Sequence, residues 1–307
     1  MRVTVIHNSA AGTGKAVPER LCDAFAAVGY EARFHAAGDP GWIEALASDT
    51  DLIAVAGGDG TVVKVIKAMR RRDVPVAVLP AGTANNIARS LGISGRPEQA
   101  IRGWRDARPR WIDLGVVSAP WGEGILAEGL GLGCVAHAMA ETDDMDLDAS
   151  DEIVHARGQL HGALLGARPR RFDVSVDGAA LPTEDALFVE VLNFPLVGPR
   201  LALAPGADPG DGFFDVVWLE AARRDEFLAW LCSGAIDRTP APVRVARGRA
   251  VTIAWRGEMM RVEDGFRDPE DGRGTIELRV HARALRMLVQ EPPGQPQGAQ
   301  EGPNGRD

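Results

Sequence analysis

The chain has 307 residues, 45% hydrophobic and 25% charged, an ordinary globular balance that excludes a disordered, collagen-like or coiled-coil protein over most of its length. Lys and Arg number 34 against 43 Asp and Glu, a net charge of -9, and this acidic balance argues against broad nucleic-acid binding, which needs a basic footprint. No apolar run reaches the roughly 18 residues of a membrane-spanning helix, no charged-then-apolar leader precedes the first strand pattern, and Cys22, Cys134 and Cys232 lack metal-ligand spacing, so the expectation is a reduced, cytoplasmic protein.

In chain order, short apolar strands are expected at residues 3–7, 31–35, 52–56 and 74–79, with helices at 17–28, 40–47 and 62–71 between them. This alternation predicts a parallel sheet with helices on its faces, and ligands bind such sheets in the loops at the carboxyl ends of the strands. The rhythm changes near residues 111–117. A helix is expected at 151–165, after an acidic run from Glu141 to Glu152 that reads as a solvated loop. Strands follow at 172–176, 187–193, 213–219, 251–255, 275–280 and 284–289, interrupted by a helix at 223–234. Asp177-Gly178, Asp211-Gly212 and Asp264-Gly265 are hairpin signals between them. The expected organisation is an α/β domain at 1–115, rejoined by about 283–290, and a β-rich antiparallel sandwich or barrel at 116–282. Residues 291–307, rich in Pro, Gly and Gln, read as a disordered tail.

Three strand-end loops carry the chemistry. Gly57-Gly58-Asp59-Gly60-Thr61 follows an apolar strand and opens a helix. Glycines there let backbone amides approach an anion, and the helix N-terminus favours negative charge. An Asp inside a phosphate-binding turn makes sense if it acts through Mg²⁺ or accepts a proton from a hydroxyl nucleophile. Pro80-Ala81-Gly82-Thr83-Ala84-Asn85-Asn86 is a second such loop, where Thr83 and Asn85 read equally well as helix caps. The third, Asn8-Ser9-Ala10-Ala11-Gly12-Thr13-Gly14-Lys15, is not a P-loop, because Ser9 stands where Gly is required and Ala16 where Ser or Thr is required.

Together these loops resemble the catalytic-domain motifs of the diacylglycerol kinase and sphingosine kinase superfamily, in particular its bacterial soluble lipid kinases. The resemblance extends to Asn193, to the run from Pro205 through Asp208, Asp211, Phe213 and Val216, and to Asp264-Gly265. It implies a phosphofructokinase- and NAD kinase-like α/β domain, a β-rich second domain, and ATP with Mg²⁺ in the cleft between them. It places Asn8, Ser9, Gly12, Thr13, Gly57, Gly58, Asp59, Gly60, Thr61 and Thr83 around the nucleotide. It makes Asp264 or Asp59 the base that deprotonates a lipid hydroxyl. Asp211, with the main-chain carbonyls of Asp208 and Phe213, would match a second Mg²⁺ site, structural or regulatory, and members of the family are often dimers.

Several positions depart from the family pattern. Val63-Lys64 stands where Asn-Glu is usual, Phe266 replaces the Glu of Asp-Gly-Glu, Asn85-Asn86 replaces Asn-Asp, and Ala36 and Ala37 stand where Thr is usual. Glu263 is a candidate to supply the missing carboxylate from a shifted position. These departures leave three readings: a lipid kinase visiting the membrane surface, a kinase of a soluble acceptor such as NAD, and a nucleotide-binding regulatory protein without catalysis. Lys64, Lys67 and Arg71, at i, i+3 and i+7 of the expected helix, offer either a face for anionic lipids or a solvated basic face.

Overall fold

The computed structural model describes residues 1–8, 17–141, 148–233, 236 and 239–289. The first third runs β1 (Arg2–His7), α1 (Val17–Ala27), β2 (Glu31–Ala36), α2 (Trp42–Leu46), β3 (Leu52–Gly57), α3 (Asp59–Ala68), β4 (Val76–Pro80), α4 (Asn86–Ser90) and α5 (Pro97–Gly103). Its strands are parallel, in the order β2, β1, β3, β4. β3 is buried along its whole length, as a central parallel strand must be when helices cover both faces. Leu21, Phe25, Ile101 and Trp104 pack on one face. Val62, Val65, Ile66 and Ile87 pack on the other.

The chain continues as β5 (Arg108–Ala119), β6 (Gly122–Leu126), β7 (Gly129–Gly133), α6 (Cys134–Ala140), α7 (Ala149–Gly166), β8 (Asp173–Val176), β9 (Ala179–Ala180) and β10 (Ala186–Leu192). It ends with β11 (Leu196–Val197), β12 (Leu201–Ala202), β13 (Phe214–Glu220), α8 (Arg224–Cys232), β14 (Arg244–Gly248), β15 (Ala250–Trp255), β16 (Met260–Val262), β17 (Gly265–Arg267) and β18 (Gly274–Val289).

β18 joins the two halves. Met287, near its end, pairs in parallel with Val76 of β4, while its first half pairs antiparallel with β15. The first sheet therefore continues from β4 through β18, β15 and β8 to β9, with β5 and β6 branching from β18. A second sheet of six strands, in the order β14, β13, β10, β7, β16, β17, packs against it. Val189, Val191 and Trp218 from the second sheet meet Val251, Ile253 and Ile276 from the first. The second half is thus a sandwich, not a closed barrel. Helices α6, α7 and α8 cover its outer face, burying Leu160, Leu164, Phe188 and Phe227.

Several expected boundaries shift for identifiable reasons. The strands expected at 275–280 and 284–289 are one strand, β18, whose register against β5 shifts between His281 and Leu285. Arg283 takes φ 53° there, and its amide donates to Asp113 Oδ1 at 2.7 Å, so an irregularity that reads as a gap is a bulge held by a side chain. The helix expected at 62–71 begins at Asp59, because the amides of Thr61 and Val62 both reach the Gly58 carbonyl at 3.1 Å. The glycine turn is its first turn. That helix ends at Ala68, so Arg71 lies beyond it and pairs with Asp73 at 3.0 Å. The three-residue basic face therefore does not form. The tail and residues 142–147 of the acidic run lie outside the described residues.

Candidate active site

Two of the three motif loops meet in backbone contact. A Cβ on Gly82 would sit 2.4 Å from Gly58 Cα, and one on Gly58 would sit 3.1 Å from Gly82 Cα. Only residues without side chains allow this crossing. At Gly57 the obstacle is Thr61, whose side chain would lie 2.7 Å from an added Cβ. Asp59 secures the crossing: its Oδ2 accepts from the Asn86 amide at 2.8 Å and its Oδ1 from the Ile87 amide at 2.9 Å. Burial pushes its carboxyl up from the ordinary range, while the two amides and Arg200 pull it down. Arg200 also donates to the Ala84 carbonyl at 3.1 Å and to that of Thr83.

A cleft of about 340 Å³ opens beside this crossing, lined by Asn8, Ala37, Gly58, Gly60, Thr61, Lys64, Gly82 and Asp264. Of the nucleotide candidates, Asn8, Gly58, Gly60 and Thr61 thus share one cleft. Gly57 and Asp59 do not line it, and Asp59 faces a second cavity. Ser9, Gly12 and Thr13 lie outside the described residues. Thr83 is placed apart from the cleft: it lines that second cavity, and its hydroxyl donates to Glu152 Oε2 of α7 at 2.7 Å.

Asp264 belongs to the hairpin between β16 and β17. Val262 pairs with Gly265, so Glu263 and Asp264 form the turn, and the positive φ falls on Glu263 at 59° rather than on Gly265. A non-glycine residue there costs about 1 kcal/mol or more. Three backbone amides offset that cost. The Glu263 carboxylate accepts from Glu128 at 2.8 Å, from Gly129 at 3.1 Å, and from Ala127. Glu263 is therefore an anchor, and its committed carboxylate does not replace the one missing at Phe266. The anchor leaves Asp264 over the start of α3, its Oδ2 2.5 Å from where a Gly60 Cβ would lie.

Behind the hairpin lies a buried ion pair that sequence reading missed. Arg261 Nη2 donates to Glu190 Oε2 at 2.8 Å and Nη1 to the Glu263 carbonyl at 2.7 Å. Both residues stand in register with Gly131 of β7, one from each side. The pair spans the strand over that glycine, whose added Cβ would lie 2.0 Å from Glu190 Oε1. The available signal was a charge inside the apolar run Ala186–Leu192, which buries at tolerable cost only when paired.

The second cavity, about 240 Å³, lies across Asp264 from the cleft. Asp59, Glu128, Arg261 and Asp264 form its polar end, and Met139, Ile153, Ala156 and Pro199 give it an apolar wall. Glu128 was also missed, since nothing in its spacing marks it. Its backbone is held on both sides, by Glu263 and by the Asn193 amide at 2.9 Å. Burial first, and then the charge of Asp59, push its carboxyl up to about 8.

The turn expected to hold a second Mg²⁺ carries two ion pairs. Asp208 pairs with Arg110 and accepts from the Gly210 amide at 2.9 Å, while Asp211 pairs with Arg247 and accepts from the Phe213 amide at 3.0 Å. Among the described residues no three metal-ligating side chains cluster. The Asp211 carboxylate expected to hold that cation is thus paired with a guanidinium in this structure.

A parallel α/β layer and an antiparallel sandwich, with a glycine-turn cleft and an aspartate beside it, describe a kinase that phosphorylates an alcohol group. Comparison with known proteins agrees. The diacylglycerol kinase catalytic domain matches residues 2–117, and the YegS C-terminal NAD kinase beta sandwich-like domain matches residues 130–289. A diacylglycerol kinase of Bacillus subtilis is 31% identical over 248 residues, 74% of this chain and 76% of that protein. One from Mycobacterium tuberculosis is 26% identical over 200 residues, 60% of each chain. A crystal structure of a candidate diacylglycerol kinase from Bacillus anthracis shares the fold, with TM-score 0.74 at 18% identity over 94% of this chain and 95% of that one. The chain belongs to the diacylglycerol kinase family of lipid kinases. No helix among its described residues is long and apolar enough to cross a membrane.

Proposed function

We propose that the protein transfers the γ-phosphoryl group of ATP, accompanied by Mg²⁺, to the hydroxyl of a lipid of the diacylglycerol class. The observation that carries this reading is the position of Asp264, shared by the glycine-turn cleft and the apolar-walled cavity. Nucleotide phosphates in the cleft and a lipid head in the cavity meet at that residue. The hydroxyl oxygen attacks the γ-phosphorus, the bond to ADP breaks, and the hydroxyl proton passes to a carboxylate. Asp59 has both oxygens on backbone amides, whereas Asp264 accepts no hydrogen bond from a described residue. Asp264 is therefore assigned as the base, and Asp59 as the residue that holds the two loops in register. Such transfer depends on positioning and charge neutralisation, and Mg²⁺ on the nucleotide supplies part of the latter. Asp264 is the carboxylate that faces the cleft where that ion would travel.

The test is label transfer from γ-labelled ATP, with Mg²⁺, to vesicles containing diacylglycerol. Label is expected in the organic phase, and Asp264→Asn is expected to lower the rate by about 10³ while leaving ATP bound. Label appearing only on a soluble acceptor such as NAD would overturn the lipid assignment.

A further inference from the structure

We infer that Lys64 supplies the cation that grips the phosphate chain of the bound nucleotide. This rests on the nucleotide reading of the cleft. Phosphates bring several negative charges, and the cleft already holds Asp264. Among the described residues that line it, Lys64 is the one that carries a positive charge. It stands one helical turn after Gly60 on α3, so both face the same side.

The ammonium is held without being neutralised. It donates to the Ala37 carbonyl and lies 5.2 Å from the centroid of the Trp42 ring. Ala37 is itself fixed, its amide donating to the His7 carbonyl at 2.8 Å. A lysine ammonium has three donors, and the hydrogen bond to Ala37 uses one. Among the described residues no carboxylate pairs with Lys64, whereas Lys67, three residues on, lies 3.8 Å from Glu263 Oε1. A carbonyl and an aromatic face thus position a full charge at the cleft wall and leave two donors for phosphate oxygens. Ala37 has no side-chain donor of its own, so Lys64 brings to that wall what alanine cannot.

The test is calorimetric titration of the full chain with MgATP. Wild type is expected to bind. Lys64→Met is expected to weaken binding about tenfold, the scale of a charge-assisted contact, and Lys64→Arg to stay within about threefold because the charge is kept. Arg70→Met, which removes a charge from the same segment but lines neither cavity, is expected to bind ATP as wild type does. Circular dichroism melts of each variant separate a folding defect from a binding one. Equal ATP affinity in wild type and Lys64→Met overturns this inference alone. A wild type that binds no ATP overturns the nucleotide reading, and this inference with it. Weaker vesicle binding by Lys64→Met with unchanged ATP affinity also overturns it, and assigns the residue to the membrane face instead.

Discussion

Gly82 shows how little tolerance the site has at a single residue. An added methyl would lie 2.4 Å from Gly58 Cα, and backbone cannot step aside as a flexible side chain can. Gly82→Ala is therefore expected to separate the two loops and weaken ATP binding at least about tenfold, read by titration. Glu128 makes a prediction of the opposite kind. Its carboxyl, pushed up to about 8 by burial and by the charge of Asp59, stays protonated in the folded chain while the unfolded chain has already ionised. The folded state holds one more proton in that window, so its stability falls as pH rises from about 4.5 to about 8. Glu128→Gln removes this loss. Its melting temperature relative to wild type is expected to climb across that window and level off above it, which melts at several pH values would show.

At the scale of elements, three neighbouring strands cooperate to aim one aspartate. Glu190 of β10 and Arg261 of β16 meet over Gly131 of β7, and Arg261 also holds the Glu263 carbonyl. Removing one partner leaves an uncompensated buried charge, so Arg261→Met is expected to cost about 3–5 kcal/mol in urea denaturation. Replacing both by apolar residues is expected to recover most of that loss. A separate contact links α7 to the other half of the site. The Thr83 hydroxyl on Glu152 ties that helix to the loop after β4, and Arg157 on the same helix donates to the Pro199 carbonyl at 3.0 Å. The apolar wall contributed by Ile153 and Ala156 of α7 is thereby fixed relative to Asp59 and Asp264.

At the scale of the whole molecule, one sheet passes through both halves. β18 carries it from the parallel strands into the sandwich, and neither half buries its edge without the other. Unfolding is accordingly expected to be a single cooperative transition. Far-ultraviolet circular dichroism and tryptophan fluorescence should give coincident denaturation curves, Trp104 reporting on the first half and Trp218 and Trp255 on the sandwich. Two resolved transitions would show that β18 does not couple them.

Local spacing alone determined much of this protein. The strand-and-helix rhythm through residue 80, the antiparallel character after residue 172 and the glycine turn opening α3 were all legible, because each shows in periodicity or in a cluster of glycines at a strand end. Asp59 drew notice as an acid inside that turn, whereas Asp264 drew it only through the family resemblance, its own spacing reading as a hairpin. Long-range pairing decided the rest. The merging of two expected strands into β18 depends on Asp113 capturing the Arg283 amide from 170 residues away. The proposed division of labour between Asp59 and Asp264 rests on which of them the Asn86 and Ile87 amides reach. Glu263 reads as a substitute acid in sequence and proves to be an anchor, because the amides it binds come from residues 127–129. Partners that distant leave no trace in local pattern, and a side chain's chemistry is set by the partner it finds.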